Sequence, residues 1–148
     1  MPRLFVLTGA FIFFVLGAYH GALTFRDLWT PRAFTPTNVN VRLAMQASRL
    51  ALSPSINLWK AWLGFNFSHS LGLLVFGGGL VVMAWGHFPY LAGNRPLQVT
   101  AVAVAIAYFA LSARFWFWIP TLAIGIGLTC FVSAFVMLCA VCGPGEIH

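Results

Sequence analysis

The sequence predicts an all-α fold: an integral membrane four-helix bundle with an amphipathic surface helix in its first long loop. Two compositional facts and one pattern predict it. Hydrophobic residues make up 61% of the 148 residues and charged residues only 7%, against roughly 25% charged in a soluble domain. The mean hydropathy is +0.91, and the apolar residues come in four long blocks rather than dispersed along amphipathic elements. A helix rising about 1.5 Å per residue crosses the hydrocarbon in about 20 residues, and blocks of that length suit helices better than barrel strands. The whole chain, residues 1–148, reads as one transmembrane domain. The formal charge of +6 does not indicate nucleic acid, because the eight Lys+Arg are scattered between the apolar blocks and form no basic stripe. Topology accounts for them.

Span 1 covers about 4–25, with no formal charge between Arg3 and Arg26. A basic residue ahead of an apolar stretch, with Gly17 and Ala18 following, has the look of a secretory signal. The stretch exceeds the roughly 7–15 residues of a signal core, so a retained structural helix is expected. Residues 26–61 are too long for a plain connection and carry most of the charge. Their first part, Thr30-Pro31-Arg32-Ala33-Phe34-Thr35-Pro36-Thr37, is irregular. Asn38 can then cap a helix over about 38–52, with Val39, Leu43, Ala47 and Leu50 on one face and Arg42 and Arg49 on another. Such a helix lies along the membrane surface or packs over the bundle mouth. Ser53-Pro54-Ser55 breaks the chain before span 2, about 62–86.

His87 to Pro96 is a short link rich in turn formers, and span 3 follows over about 97–113. Span 4, about 115–141, meets it almost directly at Arg114, which predicts an antiparallel hairpin. Pro120 falls in the first turns of span 4, where a helix tolerates proline. The chain contains no repeat, coiled-coil heptad or low-complexity tract.

Lys and Arg set the expected orientation. Arg26, Arg32, Arg42, Arg49, Lys60 and Arg114 fall on one side and Arg3 and Arg95 on the other. Six against two places the first long loop in the cytoplasm and both termini on the periplasmic side of a bacterial inner membrane. Trp29, Trp59, Trp62, Trp116 and Trp118 mark one interface, and Trp85, Phe88 and Tyr90 the other.

The most informative stretch is Leu58-Trp59-Lys60-Ala61-Trp62-Leu63-Gly64-Phe65-Asn66-Phe67-Ser68-His69-Ser70-Leu71-Gly72. Its Trp-Lys-Ala-Trp-x-Gly-Phe-Asn-x-Ser-His-Ser-x-Gly pattern resembles the signature of an uncharacterised family of small four-span bacterial membrane proteins. Gly17-Ala18-Tyr19-His20-Gly21, Phe34-Thr35-Pro36 and Ala44-Met45 add to the likeness. About 15 residues carry it strongly and the rest loosely. The resemblance implies a topology and no activity.

Physically, Gly64, Ser68 and Gly72 recur every four residues and make a groove in which another helix backbone can settle. Gly17 and Gly21 offer a second such groove, and Gly125, Thr129 and Ser133 a third. Helix packing is the expected role of all eight. His20 and His69 fall at similar depth on antiparallel spans, with Asn66 one turn before His69, and Thr24 and Asp27 following His20 on one face. Polar groups at that depth are costly unless paired. They read either as an interhelical hydrogen-bond cluster, with His69 protein-buried against His20 or Tyr19, or as a ligand pocket for a quinone, lipid or pigment. A third reading has His20 and His69 as axial haem ligands. No other metal site is indicated, since two His and one distant Asp are too few ligands, and the sequence requires no cofactor. His87, beside a turn, is expected to be solvated or to cap a helix.

Cys139 and Cys142 form a C-x-x-C, but Gly143 stands where c-type haem attachment needs His. Adjacent helical turns disfavour a disulfide there, so lipid-buried thiols are expected, with Cys130 a small packing residue. One Asp and one Glu exclude paired-carboxylate chemistry, and a Ser-His-Asp arrangement would have to use Asp27. No phosphate loop, nucleotide fingerprint or zinc motif occurs. The expected function is a non-catalytic accessory or structural subunit that packs against other membrane protein subunits among the lipids. The alternative is a membrane ligand- or cofactor-binding protein using the His20/His69 pocket.

Overall fold

The computed structural model describes residues 1–141. The architecture is all-α: α1 (Pro2–Asp27), α2 (Val39–Ala47), α3 (Leu58–Gly86), α4 (Phe88–Gly93), α5 (Arg95–Phe115) and α6 (Trp118–Val141). By length and composition α1, α3, α5 and α6 are each able to cross a membrane. At 29 residues, α3 extends about 44 Å, more than the ~30 Å hydrocarbon core.

The described residues group into two compact units. The first holds residues 1–15 and those from Leu74 onward; the second is Leu16–Leu73.

The first unit is built around Phe13, which is fully buried. Its ring meets Phe76 edge-on at 5.0 Å between centroids, Tyr108 at 5.9 Å and Phe131 at 5.8 Å. A ring of this size at a helix crossing demands small residues opposite. A Cβ on Gly127 would stand 2.8 Å from the Phe13 ring, one on Gly9 would stand 3.0 Å from the Gly127 carbonyl, and one on Gly77 2.7 Å from the Ala10 carbonyl. Backbone contact between α1 and both α3 and α6 therefore depends on these glycines. At one end Arg3 donates to the carbonyls of Ala84 (2.9 Å) and Trp85 (2.7 Å), which the end of α3 leaves unpaired. Leu91 and Ala92 of α4 receive the Gln98 amide at 2.9 and 2.7 Å. Asn94 caps α5 by accepting from the Leu97 N–H at 3.0 Å.

The turn between α5 and α6 falls at Trp116–Phe117, two residues past Arg114, which lies in the last turn of α5. Ser112 and Thr121 hydroxyls bond across it at 2.8 Å. The link that reads as a turn also contains α4, since Pro89 supplies a helix-compatible φ in its first turn. Outward positions such as Val75, Val82, Ile106 and Val136 are exposed, a surface suited to lipid.

The second unit differs in what it buries. Alongside Trp59, Leu63 and Leu73 it holds Thr24, Asp27, Asn66 and Ser70, all at most 3% exposed. Its loop helix corrects the expected boundary: α2 stops at Ala47 rather than at about 52. Nine residues with none buried make a marginal helix, and backbone bonding to a distant segment ends it. Ser48 is extended, Arg49 bridges to Asn57, the Leu50 N–H reaches the Ile56 carbonyl (3.0 Å), and the Leu58 N–H reaches the Ser48 carbonyl (3.0 Å). Ser53-Pro54-Ser55 turns this hairpin. Arg49 and Leu50 thus leave the helix faces expected for them. Asn57 accepts from the Lys60 N–H at 2.8 Å, capping α3 and starting it at Leu58, four residues before the apolar block at Trp62.

Candidate functional site

Within the second unit, polar groups from α1, the following loop and α3 converge. Asp27 ends α1, where a negative charge opposes the helix dipole. The chain compensates by folding its next residues back as a strap. Asp27 Oδ1 accepts the N–H of Arg32 and of Ala33, both at 2.9 Å; Oδ2 accepts the Phe34 N–H at 2.8 Å and the Thr35 hydroxyl at 3.2 Å. Three backbone amides and a hydroxyl engage both oxygens of a carboxylate only 1% exposed. Asp27 is thereby a structural anchor.

The strap sets Phe34 in place. Its carbonyl accepts the Trp62 indole N–H at 2.8 Å, and its ring lies 4.3 Å from that of His20. One turn along α3, fully buried Asn66 donates through Nδ2 to the Trp62 carbonyl at 2.8 Å. That bond fixes the amide, so Oδ1 faces His20 Nε2 at 3.1 Å. Because Oδ1 only accepts, His20 carries its proton on Nε2. Thr24 donates to the His20 carbonyl at 2.9 Å and Ser70 to the Asn66 carbonyl at 2.8 Å, which satisfies both buried hydroxyls within their own helices.

His69 lies with its ring 5.3 Å from His20 and tilted 56°, and Phe65 stacks against it at 6.3 Å. Trp62 follows Phe65 at 6.4 Å. Each ring of the series Trp62, Phe65, His69, His20, Phe34 neighbours the next, and the Trp62–Phe34 hydrogen bond closes the circuit. Tyr19, by contrast, is 65% exposed.

This arrangement does not fit haem. An iron held between two imidazoles stands about 2 Å from each ligating nitrogen and needs a slot as wide as the macrocycle. Here the two rings neighbour each other directly, and His20 Nε2 is engaged by Asn66. Among the described residues no group of three or more His, Cys, Asp or Glu could hold a metal ion.

The small residues separate into two kinds. Gly17 is buried, Gly21 meets Ser70 at 3.4 Å, and Gly72 and Ser133 are half-buried. Gly125 meets the Phe109 ring at 3.2 Å. Gly64 has nothing within 4 Å of a Cβ position, and Ser68 and Thr129 are exposed. Gly125, Thr129 and Cys130 line an open groove of about 740 Å³ with Phe109, Trp118 and Ile126. His87 is exposed at the N-cap of α4 and makes no side-chain capping bond. Cys139 takes a hydrogen bond from Arg95; Cys142, and with it the C-x-x-C reading, lies outside the described residues. Phe34, Trp62 and Phe65 are the rings of the cluster that sequence reasoning leaves out. The signal available for Phe34 and Trp62 is a lone Asp at a helix C-terminus followed by a Pro-bounded run of free amides.

Set against known proteins, the chain matches no family model, no curated protein and no solved structure. Fold and site define a class: a helical protein with four helices long and apolar enough to span a membrane, compatible with an integral membrane protein, and a buried polar cluster tying α1 to α3.

Proposed function

We propose that this protein is a non-catalytic subunit of a bacterial cytoplasmic-membrane assembly, docking on other membrane proteins through small-residue helix faces. The observation that carries the reading is Gly64: inside an apolar helix, with Ser68 exposed one turn on, a Cβ there would have nothing within 4 Å among the described residues beyond the helix's own local backbone. Glycine in a spanning helix costs helix propensity, and close approach of a second backbone is its usual compensation. The groove on α6 lined by Gly125, Thr129 and Cys130 is a second open face, at which Gly125 itself packs against Phe109. The engagement of Asp27 by the strap supports a non-catalytic role, since it is the one carboxylate available to the histidines among the described residues.

The test is affinity purification in mild detergent of the wild type and Gly64→Leu. Wild type is expected to bring down partner chains in fixed ratio, and Gly64→Leu to fold normally but lose them. A wild-type protein recovered alone as a monomer refutes the reading. The Lys and Arg distribution supports termini on the periplasmic side; labelling of Ser48→Cys from the periplasmic side alone would reverse that.

One observation favours a second reading, a membrane-soluble ring-bearing ligand such as a quinone or pigment. Phe65 stacks on His69 yet is 58% exposed, so the stack can be continued by an outside ring. A stoichiometric small molecule in mass spectra of the extracted protein, lost in Phe65→Ala, supports it.

A further inference from the structure

The charges of the second unit lead to an inference beyond subunit docking and independent of it. The chain has one Asp, Asp27, and its one Glu lies at position 146. Every cation from Arg32 to Arg114 therefore sits in a stretch of sequence without a carboxylate. Within this unit Arg26, Arg32, Arg49 and Lys60 are exposed and Arg42 is half-buried. The carboxylate nearest them in sequence is consumed by the strap: both Asp27 oxygens accept hydrogen bonds, and the residue is 1% exposed. No carboxylate among the described residues is left to pair with them.

The local fold links three of these cations through one hairpin. Arg42 lies on α2, which leads directly into the hairpin; Arg49 bridges to Asn57; and Asn57 caps the turn of α3 that carries Lys60. Beside them stand apolar side chains with no cover. Leu43 is 52% exposed, and Leu52, at the hairpin tip, is 96% exposed. A tip that presents a bare leucine near cations without a carboxylate partner has the two chemistries of an interfacial lipid anchor: apolar insertion, and attraction to phosphate.

We propose that residues 39–60 form a docking surface for anionic phospholipid, in which Arg42, Arg49 and Lys60 take headgroup phosphates while Leu43 and Leu52 enter the acyl boundary. Charge complementarity selects the occupant. A neutral apolar partner leaves the three cations uncompensated, and a free phosphate leaves the leucines in water.

The full-length protein in detergent is titrated with phosphatidylglycerol or with phosphatidylcholine of the same chains, and retained lipid is counted by native mass spectrometry. The expected result is at least tenfold preferential retention of phosphatidylglycerol. Each of Arg42→Gln, Arg49→Gln and Lys60→Gln is expected to lower the preference about fivefold, and Leu52→Ser to weaken retention of both lipids. Arg95→Gln, outside this unit, serves as the control and keeps the preference. Each is a single substitution at an exposed or half-buried site, so the fold is expected to survive it. Equal retention of the two lipids overturns the proposal, as does a preference unchanged by all three Gln variants. So does lipid retention that is abolished by inorganic phosphate and unaffected by Leu52→Ser, which would assign the cations to a soluble anion.

Discussion

Asp27→Asn is the perturbation that separates an anchoring carboxylate from an incidental one. In the wild type each oxygen serves two donors: Arg32 and Ala33 amides on Oδ1, the Phe34 amide and Thr35 hydroxyl on Oδ2. Asparagine keeps one carbonyl oxygen, which can still accept from Arg32 and Ala33. Its amide group then meets the Phe34 N–H donor to donor. Thr35 can rotate its hydroxyl to accept, but a backbone N–H has no such freedom. The loss is one stranded buried donor plus the charge assistance of two remaining bonds, together about 2–3 kcal/mol. At 1.4 kcal/mol per factor of ten, the open strap becomes roughly 30–150 times more populated.

Trypsin reads that population directly, because Arg32 lies within the strap and is held by its own amide. With limiting protease, cleavage follows the equilibrium fraction of the opened form. The detergent-solubilised protein is therefore expected to be cut after Arg32 some 30–150 times faster in Asp27→Asn. Thr35→Val, which removes only the longest of the four bonds, is expected to change the rate less than tenfold. Cleavage of Asp27→Asn within twofold of wild type would refute the anchoring argument, since it would mean that the strap is held by Phe34 packing and the Trp62 bond alone.

Three further outcomes follow from the packing. Gly77→Ala drives a Cβ into α1 backbone and is expected to destabilise the protein by about 1–3 kcal/mol in denaturant unfolding, whereas Gly79→Ala, with nothing within 4 Å, is expected to be neutral or stabilising. Asn66→Leu strands the His20 Nε2 donor and removes a second donor from the Trp62 carbonyl, which keeps its helical partner, a loss of roughly 1–2 kcal/mol; Asn66→Gln, which keeps the amide, is expected to retain part of it. Gln98→Leu removes two bonds to α4 but also a buried Oε1 that has no partner among the described residues, so it is expected within about 1 kcal/mol of wild type. Gln98→Glu, which sets oxygens against the Leu91 and Ala92 carbonyls, is expected to cost more, and the reverse ranking would show that Oε1 has a donor.

The helices are legible in the sequence because what makes each one is local: an uninterrupted apolar block decides its own hydrogen bonding wherever water is excluded. The end of α2 is not legible for the opposite reason. Val39, Leu43, Ala47 and Leu50 keep helical spacing, but Leu50 bonds to Ile56 and Ser48 to Leu58, partners that a window centred on the helix does not contain. The cluster divides the same way. Antiparallel spans suffice to bring His20 and His69 to one depth, yet Phe34 reaches His20 only because a strap returns to Asp27, and Pro/Thr composition does not specify a return. Glycine spacing is the subtlest case. Gly64, Ser68 and Gly72 hold the four-residue interval associated with helix packing, while the contacts that bring α1 against its neighbours run through Gly9, Gly77 and Gly127. What distinguishes them is what a Cβ would meet: the Phe13 ring at Gly127, the Gly127 carbonyl and the Phe131 ring at Gly9, and α1 backbone at Gly77. An interval of small residues therefore marks where a backbone can approach without saying whose backbone it is. Gly9, Gly77 and Gly127 are accounted for by contacts within the described residues, and a substitution there tests the fold; Gly64 is not, and a substitution there tests the proposed docking.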